Sequence, residues 1–259
     1  MPSPMTDLRR DAFLGGRLTI AQPRRGYRAG ADAVMLAAAC PAKSGQSVLE
    51  LGCGAGVALL CLGWRVDGLQ LSGLELQPGY AQLAIENAAA NHLKASIHLG
   101  DLAAMPEALR RQTFDHVIAN PPYFPSGTAA PDVGRGIARH ETTPLAQWIA
   151  AGLRRLRPGG WLTLIQRADR LDTILPALVP AAGAITILPV SGRIGQPAGR
   201  VLVRARKGAR GPMRLLSPFI MHEKLSHSGD GEDLTAAAQA VLRHGAALNL
   251  ESDGFSVTM

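Results

Sequence analysis

Aromatic side chains are scarce in this sequence: five Phe, three Trp and three Tyr among 259 residues. A chain so poor in rings must build its core from aliphatic side chains, and any ring outside that core stands out. Cysteine is scarcer still. Cys40, Cys53 and Cys61 form no C-x-x-C pair, and an odd count argues against a disulfide framework. The seven histidines are scattered and lack spaced cysteine or carboxylate partners, so no metal site is expected. No apolar run approaches the length that crosses a bilayer. The opening MPSPMTDLRRDAF has no apolar stretch of the kind a secretory leader carries. The cytoplasm is therefore the expected compartment, with no membrane partner. Acidic residues are also short, at 20 against 27 Lys and Arg, which leaves a formal net charge of +7. Arginines gather at Arg9-Arg10, Arg24-Arg25-Arg28, Arg154-Arg155-Arg157 and from Arg200 through Arg214. That balance suits a polyanion such as nucleic acid, whose phosphates release counterions on binding.

What is present is an ordinary core-forming composition, 47% hydrophobic and 18% charged. Short apolar runs alternate with helical stretches: SVLEL (47–51), LQLSGLEL (69–76), ASIHL (95–99), FDHVIA (114–119), WLTLIQ (161–166), AITILPV (184–190) and RVLVRA (200–205). Helices are expected over 56–64, 78–90, 103–111, 145–156 and 171–179. Seven strands with helices between them predict an α/β fold, a mostly parallel sheet covered on both faces. Pro158-Gly159-Gly160 reads as a helix stop before the fifth strand. Residues 1–45 precede the alternation as an expected hairpin around LGGRLTI and a short helix, ADAVMLAAA, with Asp32 near its start. Three parts are expected: an extension over 1–45 that covers the site, a core over 46–206, and a strand-and-helix extension over 207–259. Nothing in the sequence sets an oligomeric state; a monomer is favoured.

VLELGCGAG places Gly52, Gly54 and Gly56 after the first core strand and before a helix. Glycines there let the backbone approach a ligand at a helix N-terminus, although a tight turn alone would use them too. A dinucleotide fingerprint needs its third glycine where Val57 stands. Glu50 also precedes the loop, and a carboxylate there would repel a pyrophosphate. It suits a ligand with an ammonium group, so S-adenosylmethionine fits better than NAD. Two more acids stand at strand ends. Glu75 is placed to accept both ribose hydroxyls, and Asp101, in HLGDL, to accept from the adenine amino group or to cap the next helix. Cys53, Leu76 and Leu102 accompany them as neighbours of the expected cofactor.

With these segments the sequence resembles the class I S-adenosylmethionine-dependent methyltransferases, whose first three motifs are similar to VLELGCGAG, GLEL and LGDL. Ala84, Asn87 and Asn91 match a pattern common in the following helix. NPPY, Asn120 to Tyr123, resembles the fourth motif of the branch that methylates planar nitrogens. The layout, with GYRAGADAVMLAA before the glycine loop and ARHET (138–142) after NPPYF, is most similar to the bacterial tRNA1(Val) adenine-37 N6-methyltransferase family. The resemblance runs from about Ala12 to Ile165. It implies a Rossmann-like core and methyl transfer to an adenine N6 of RNA, with tRNA as partner. Where that group carries a Tyr-Thr pair near its end, Asp233-Leu234-Thr235 stands here.

By itself the Pro-Pro corner is a rigid turn, with Asn120 held extended before Pro121. Beside the other motifs its chemistry takes on meaning. The Asn120 side-chain oxygen and the Pro121 carbonyl are a pair of acceptors for the two N–H groups of an exocyclic amine. Pro122 stiffens them, and Tyr123 offers a face for an unpaired base. Phe124 walls the pocket or packs in the core. Arg24, Arg25, Arg28, Arg139 and His140 are expected to meet RNA. A protein glutamine amide or a DNA adenine would serve the same corner. A non-catalytic RNA-binding module and a nicotinamide-dependent oxidoreductase fit the acids and NPPY less well.

Overall fold

The computed structural model describes residues 7–125, 140–141, 143–224, 233–250 and 254–259, with only the backbone of Phe124, Pro125, His140 and Glu141. The chain opens with an antiparallel hairpin, β1 (Leu8–Phe13) and β2 (Leu18–Pro23), then helix α1 (Ala31–Ala39). Next come β3 (Ser47–Leu51), α2 (Val57–Arg65), β4 (Gln70–Glu75), α3 (Pro78–Ala90), β5 (Ala95–Leu99), α4 (Glu107–Arg110) and β6 (Phe114–Ala119). Two short parallel strands follow, β7 (Phe124–Pro125) and β8 (His140–Glu141). Then α5 (Leu145–Arg155), β9 (Leu156–Arg167), α6 (Leu171–Leu178), β10 (Ala182–Ser191) and β11 (Arg200–Lys207) complete the alternation. The rest holds β12 (Arg214–Leu215), β13 (Phe219–Ile220), α7 (Ala236–His244), β14 (Ala247–Asn249) and β15 (Ser256–Thr258).

The seven expected strands lie side by side in the order β10-β11-β9-β6-β3-β4-β5, and the short β12 and β13 extend the sheet beyond β10. β5, β4, β3, β6 and β9 are parallel, while β11 runs against both its neighbours. Strand alternation sends side chains to two cores. Val48, Ile118, Ile165 and Leu202 join α1, α2 and α7 on one face. Leu49, Val117, Leu164 and Val203 meet α5 and α6 on the other.

The asparagines of the α3 pattern explain how the N-terminal hairpin is attached. Asn87 and Asn91, one turn apart, lie on one face of the helix. The Asn87 amide takes the Ala21 N–H at 2.8 Å and gives to the Ala21 carbonyl at 3.0 Å. Asn91 does the same to Thr19, at 2.9 Å each way. Two side chains thus satisfy the free edge of β2 as a neighbouring strand would. Asn87 also donates to the Ala55 carbonyl at 2.9 Å, tying the hairpin to the glycine loop. Thr235, in the departing Asp-Leu-Thr segment, caps α7 by accepting from Ala238 N–H at 3.1 Å.

Two expectations need correction. The helix read over 103–111 is only Glu107–Arg110, because Pro106 lacks an N–H and keeps Met105 out of helical conformation. Pro158-Gly159-Gly160 lies inside β9 rather than before it. The β6–β9 register slips there, from Phe114↔Leu156 to His116↔Trp161, as expected of a bulge with Gly159 at φ 75°. The arginine run from Arg200 is no continuous surface patch: on β11, Arg204 is only 1% exposed, stacked on Trp161.

Candidate active site

All parallel strands end on one edge of the sheet, and Glu50, Gly52, Glu75, Asp101 and Asn120 stand at or just beyond those ends. Gly52 has φ 64°, and a Cβ on it would stand 2.5 Å from the Trp148 ring of α5. Trp148 therefore demands this glycine. At Gly54 an added Cβ would meet only Tyr27, at 3.8 Å, so the loop is open on that side. Cys53 gives its backbone N–H to the Leu74 carbonyl at 3.0 Å and buries its thiol against Gly73. Burial, then Glu50 and Glu75, raise that thiol's pKa well above the usual value, so it is no nucleophile at neutral pH.

The two buried acids flank this loop. Glu50 accepts the Leu59 N–H at 2.9 Å in the first turn of α2. Burial pushes its carboxyl well above the usual range; the Leu59 bond opposes this and nearby Glu75 adds to it. Glu75 accepts from Gly54 N–H at 2.9 Å and Gln77 N–H at 2.8 Å. Its carboxyl is raised too, by burial, against the pull of those bonds. Neither acid forms an ion pair among the described residues. Such a site attracts a cation. Asp101 does not cap a helix. It accepts the Ala103 N–H at 2.8 Å in a local turn at the end of β5. Leu76 is 55% exposed beside Glu75, while Leu102 is buried with Met105 and Leu109.

The Pro-Pro corner follows β6 on the same edge. Gln166, buried at the end of β9, donates to the Pro121 carbonyl at 3.2 Å and the Pro122 carbonyl at 3.4 Å. Asn120 lies between two phenols: its Oδ1 is 2.9 Å from the Tyr123 hydroxyl and its Nδ2 3.4 Å from the Tyr27 hydroxyl. The Tyr123 hydroxyl also contacts Asp32, which accepts from Arg200 Nε at 3.0 Å. The Arg200 guanidinium sits 4.4 Å from the Tyr123 ring centroid, so a cation covers one face of that ring. Tyr27, Asp32, Gln166 and Arg200 escaped the sequence reading as site residues. Tyr27 and Asp32 stand in the quoted GYRAGAD segment, but nothing in linear spacing joins Gln166 or Arg200 to Asn120.

The arginines expected to meet RNA are unequal. Arg24 pairs with Asp7 at 3.1 Å and Arg28 with Asp11 at 2.8 Å. Arg25 has no ion pair among the described residues and is exposed. Arg139 lies outside the described residues, as do the side chains of Phe124 and His140.

A model of the methyltransferase small domain family matches residues 30–178, more than half of the chain. The chain belongs to this family. It is an S-adenosylmethionine-dependent methyltransferase. The methyltransferase is 37% identical over 173 residues to a Porphyromonas gingivalis protein named tRNA1(Val) (adenine(37)-N6)-methyltransferase, covering 63% of this chain and 68% of that one. An Aeromonas hydrophila protein of the same name is 28% identical over 226 residues, 86% of this chain and 92% of its own. Among solved structures, an Agrobacterium tumefaciens protein described as a predicted O-methyltransferase matches with TM-score 0.66 and 27% identity, over 83% of this chain and 96% of that one. A Thermus thermophilus 16S rRNA N2 G1207 methyltransferase, solved with AdoMet and guanosine, matches with TM-score 0.54 and 22% identity, over 77% and 50%. That last likeness concerns the fold. The expected fold class thus stands, and no described helix of this methyltransferase is long and apolar enough to cross a membrane.

Proposed function

We propose that this methyltransferase modifies the N6 of an adenosine in tRNA, of the position-37 type, in the cytoplasm and as a monomer. The observation that carries the reading is the corner Asn120-Pro121-Pro122-Tyr123, braced by Gln166 on the edge where Glu50, Glu75 and open Gly54 flank one loop. Relatives that span most of the chain bear the matching name.

When bound, S-adenosylmethionine supplies an electrophilic methyl on a sulfonium. The protein's own residues do the rest. Glu50 would compensate the ligand's ammonium, and Glu75 would accept the ribose hydroxyls. Leu76, Asp101 and Leu102 would hold the adenine, and Gly52, Cys53, Gly54 and Gly56 would form the loop that receives the ligand. The cationic ligand fits a site whose two buried carboxylates form no ion pair among the described residues.

An aryl amine is a weak nucleophile because its lone pair is delocalised into the ring. Asn120 Oδ1 and the Pro121 carbonyl each accept one N–H, which holds the nitrogen and aims its lone pair at the methyl. Pro122 and Gln166 keep these acceptors in place before substrate arrives, so little entropy is lost on binding. Tyr123 offers its ring to the base. The proton leaves after transfer, so no base is required at the nitrogen. An oxygen acceptor would instead call for one.

Two further expectations follow. Gln166→Leu removes the brace on both proline carbonyls, and kcat should fall several-fold to about tenfold, the usual cost of one lost bond to a positioned group. Its affinity for S-adenosylmethionine, read by calorimetry, should be unchanged. Arg25→Glu should weaken tRNA binding more than Arg24→Glu, since Arg24 is already neutralised by Asp7. Titrations at rising salt check this, because an unpaired arginine contributes most to counterion release.

Methyl-labelled S-adenosylmethionine tests the function itself. Incubated with unmodified tRNA, the protein should place label on N6-methyladenosine, identified by mass after digestion. Label in a release-factor preparation and none in tRNA would overturn the RNA reading.

A further inference from the structure

We propose that Asp32 is a positioning residue that acts through the Tyr123 hydroxyl to decide which end of the Asn120 amide faces the acceptor nitrogen. The inference rests on the role given above to Asn120 as an acceptor.

Tyr123 carries one hydroxyl proton, yet two oxygens lie within its reach: Asp32 Oδ2 and Asn120 Oδ1, the latter at 2.9 Å. One proton cannot serve both. Asp32 is the stronger claimant, because a bond to a carboxylate is charge-assisted. Its Oδ2 is also bound by Arg200 Nε at 3.0 Å, which keeps the carboxylate in place. Arg200 in turn lies over the Tyr123 ring, 4.4 Å from its centroid. The phenol is thus held at its tip by an anion and on its face by a cation. Burial, then Asp32, push the Tyr123 hydroxyl far above its ordinary pKa, so the proton stays on the oxygen.

With that proton turned to Asp32, the Tyr123 oxygen presents only lone pairs to Asn120. A lone pair calls for an N–H. The two ends of an amide have nearly the same shape, so packing does not choose between them; hydrogen bonds do. The amide described with Oδ1 toward Tyr123 and Nδ2 3.4 Å from the Tyr27 hydroxyl therefore turns over, giving Nδ2 to Tyr123 and placing Oδ1 where Nδ2 stands beside Tyr27. At 3.4 Å that contact is weak. An incoming amine can take the oxygen's second lone pair, or displace the phenol, at little cost. In the opposite orientation Asn120 would offer N–H groups to the N–H groups of the substrate, and the acceptor pair would be lost. Asp32 and Arg200 come from α1 and the start of β11, and neither need touch the substrate to act.

The test uses the full chain with tRNA and S-adenosylmethionine. Asp32→Ala, half-exposed at the start of a helix, should lower kcat by about tenfold, as expected of one lost orienting bond. The Kd for S-adenosylmethionine and the KM for tRNA should stay within about twofold, since a positioning group leaves ground-state binding alone. Tyr123→Phe keeps the ring, removes the relay and should cost about as much. If Asp32 acts through the hydroxyl, the double variant is no slower than the slower single. Multiplying losses, or a silent Asp32→Ala, would overturn the proposal. Neutron diffraction from the wild-type protein gives an independent answer that needs no variant to fold. Asn120 deuterons directed at the Tyr123 oxygen are expected; deuterons directed at the Tyr27 oxygen would overturn it. A fully active Asn120→Ala protein would remove the acceptor reading instead, and the neutron result would still stand apart from it.

Discussion

Asn120→Ala is expected to keep its cofactor and lose roughly two to three orders of magnitude in turnover, the range seen when one preorganised group at a reacting centre is removed. The physical reason is that Asn120 supplies half of the acceptor pair and is alone in supplying it with a side chain. The Pro121 carbonyl would remain, fixed by Gln166, but one acceptor cannot both hold the amine and orient its lone pair. Binding should suffer little, because the Glu50 and Glu75 carboxylates and the glycine loop lie on other strands. The measurement is a pair: calorimetry with S-adenosylmethionine and single-turnover methylation of tRNA. Near-normal turnover in this variant would mean that the corner is a turn and nothing more.

Glu50→Gln should separate stability from function in opposite directions. Burial holds the Glu50 carboxyl well above its ordinary pKa, so the folded protein binds that proton more tightly than the unfolded chain does. Stability contributed by this group is present at acid pH. It is lost as pH rises from the usual carboxylate range through the raised folded value. At neutral pH the ligand-free protein therefore bears an uncompensated desolvation cost. Glutamine keeps an oxygen for the Leu59 N–H and carries no charge. The ligand-free variant should melt higher, by about 2–4 °C for each kcal/mol recovered. It should also flatten the decline of melting temperature with pH. S-adenosylmethionine should bind at least about tenfold more weakly, because a buried charge pair that loses one partner commonly loses roughly 2–5 kcal/mol. Scanning calorimetry with and without the ligand, across pH, reads both effects. A variant that melts lower without ligand and binds as well as the wild type would contradict both halves.

Much of this was legible in one dimension. The seven apolar runs became the seven main strands because alternation of short apolar runs with helical stretches leaves a parallel sheet as the economical way to bury both. Glu50, Glu75 and Asn120 come to one edge because parallel strands all finish on the same side, so residues at strand ends converge whatever lies between. The length of α4 was misread, since the helix expected over 103–111 is stopped short by Pro106. The bulge in β9 was not legible, because Pro-Gly-Gly marks a break without saying whether strand pairing resumes across it.

The sequence alone determined the strand order's raw material, the acids at the strand ends and the Pro-Pro corner, because each depends on neighbours a few residues away. Tertiary structure alone decided what surrounds Asn120. β11 runs against β9, so its first residue rather than its last arrives at the functional edge, and Arg200 comes to lie over Tyr123. Asp32, 88 residues before Asn120, reaches Tyr123 only because α1 packs into the core beneath the sheet. Gln166 meets the proline carbonyls because β9 lies beside β6. Hydrogen bonds between residues so distant in the chain leave no periodicity and no spacing to read; they exist only once the sheet has closed.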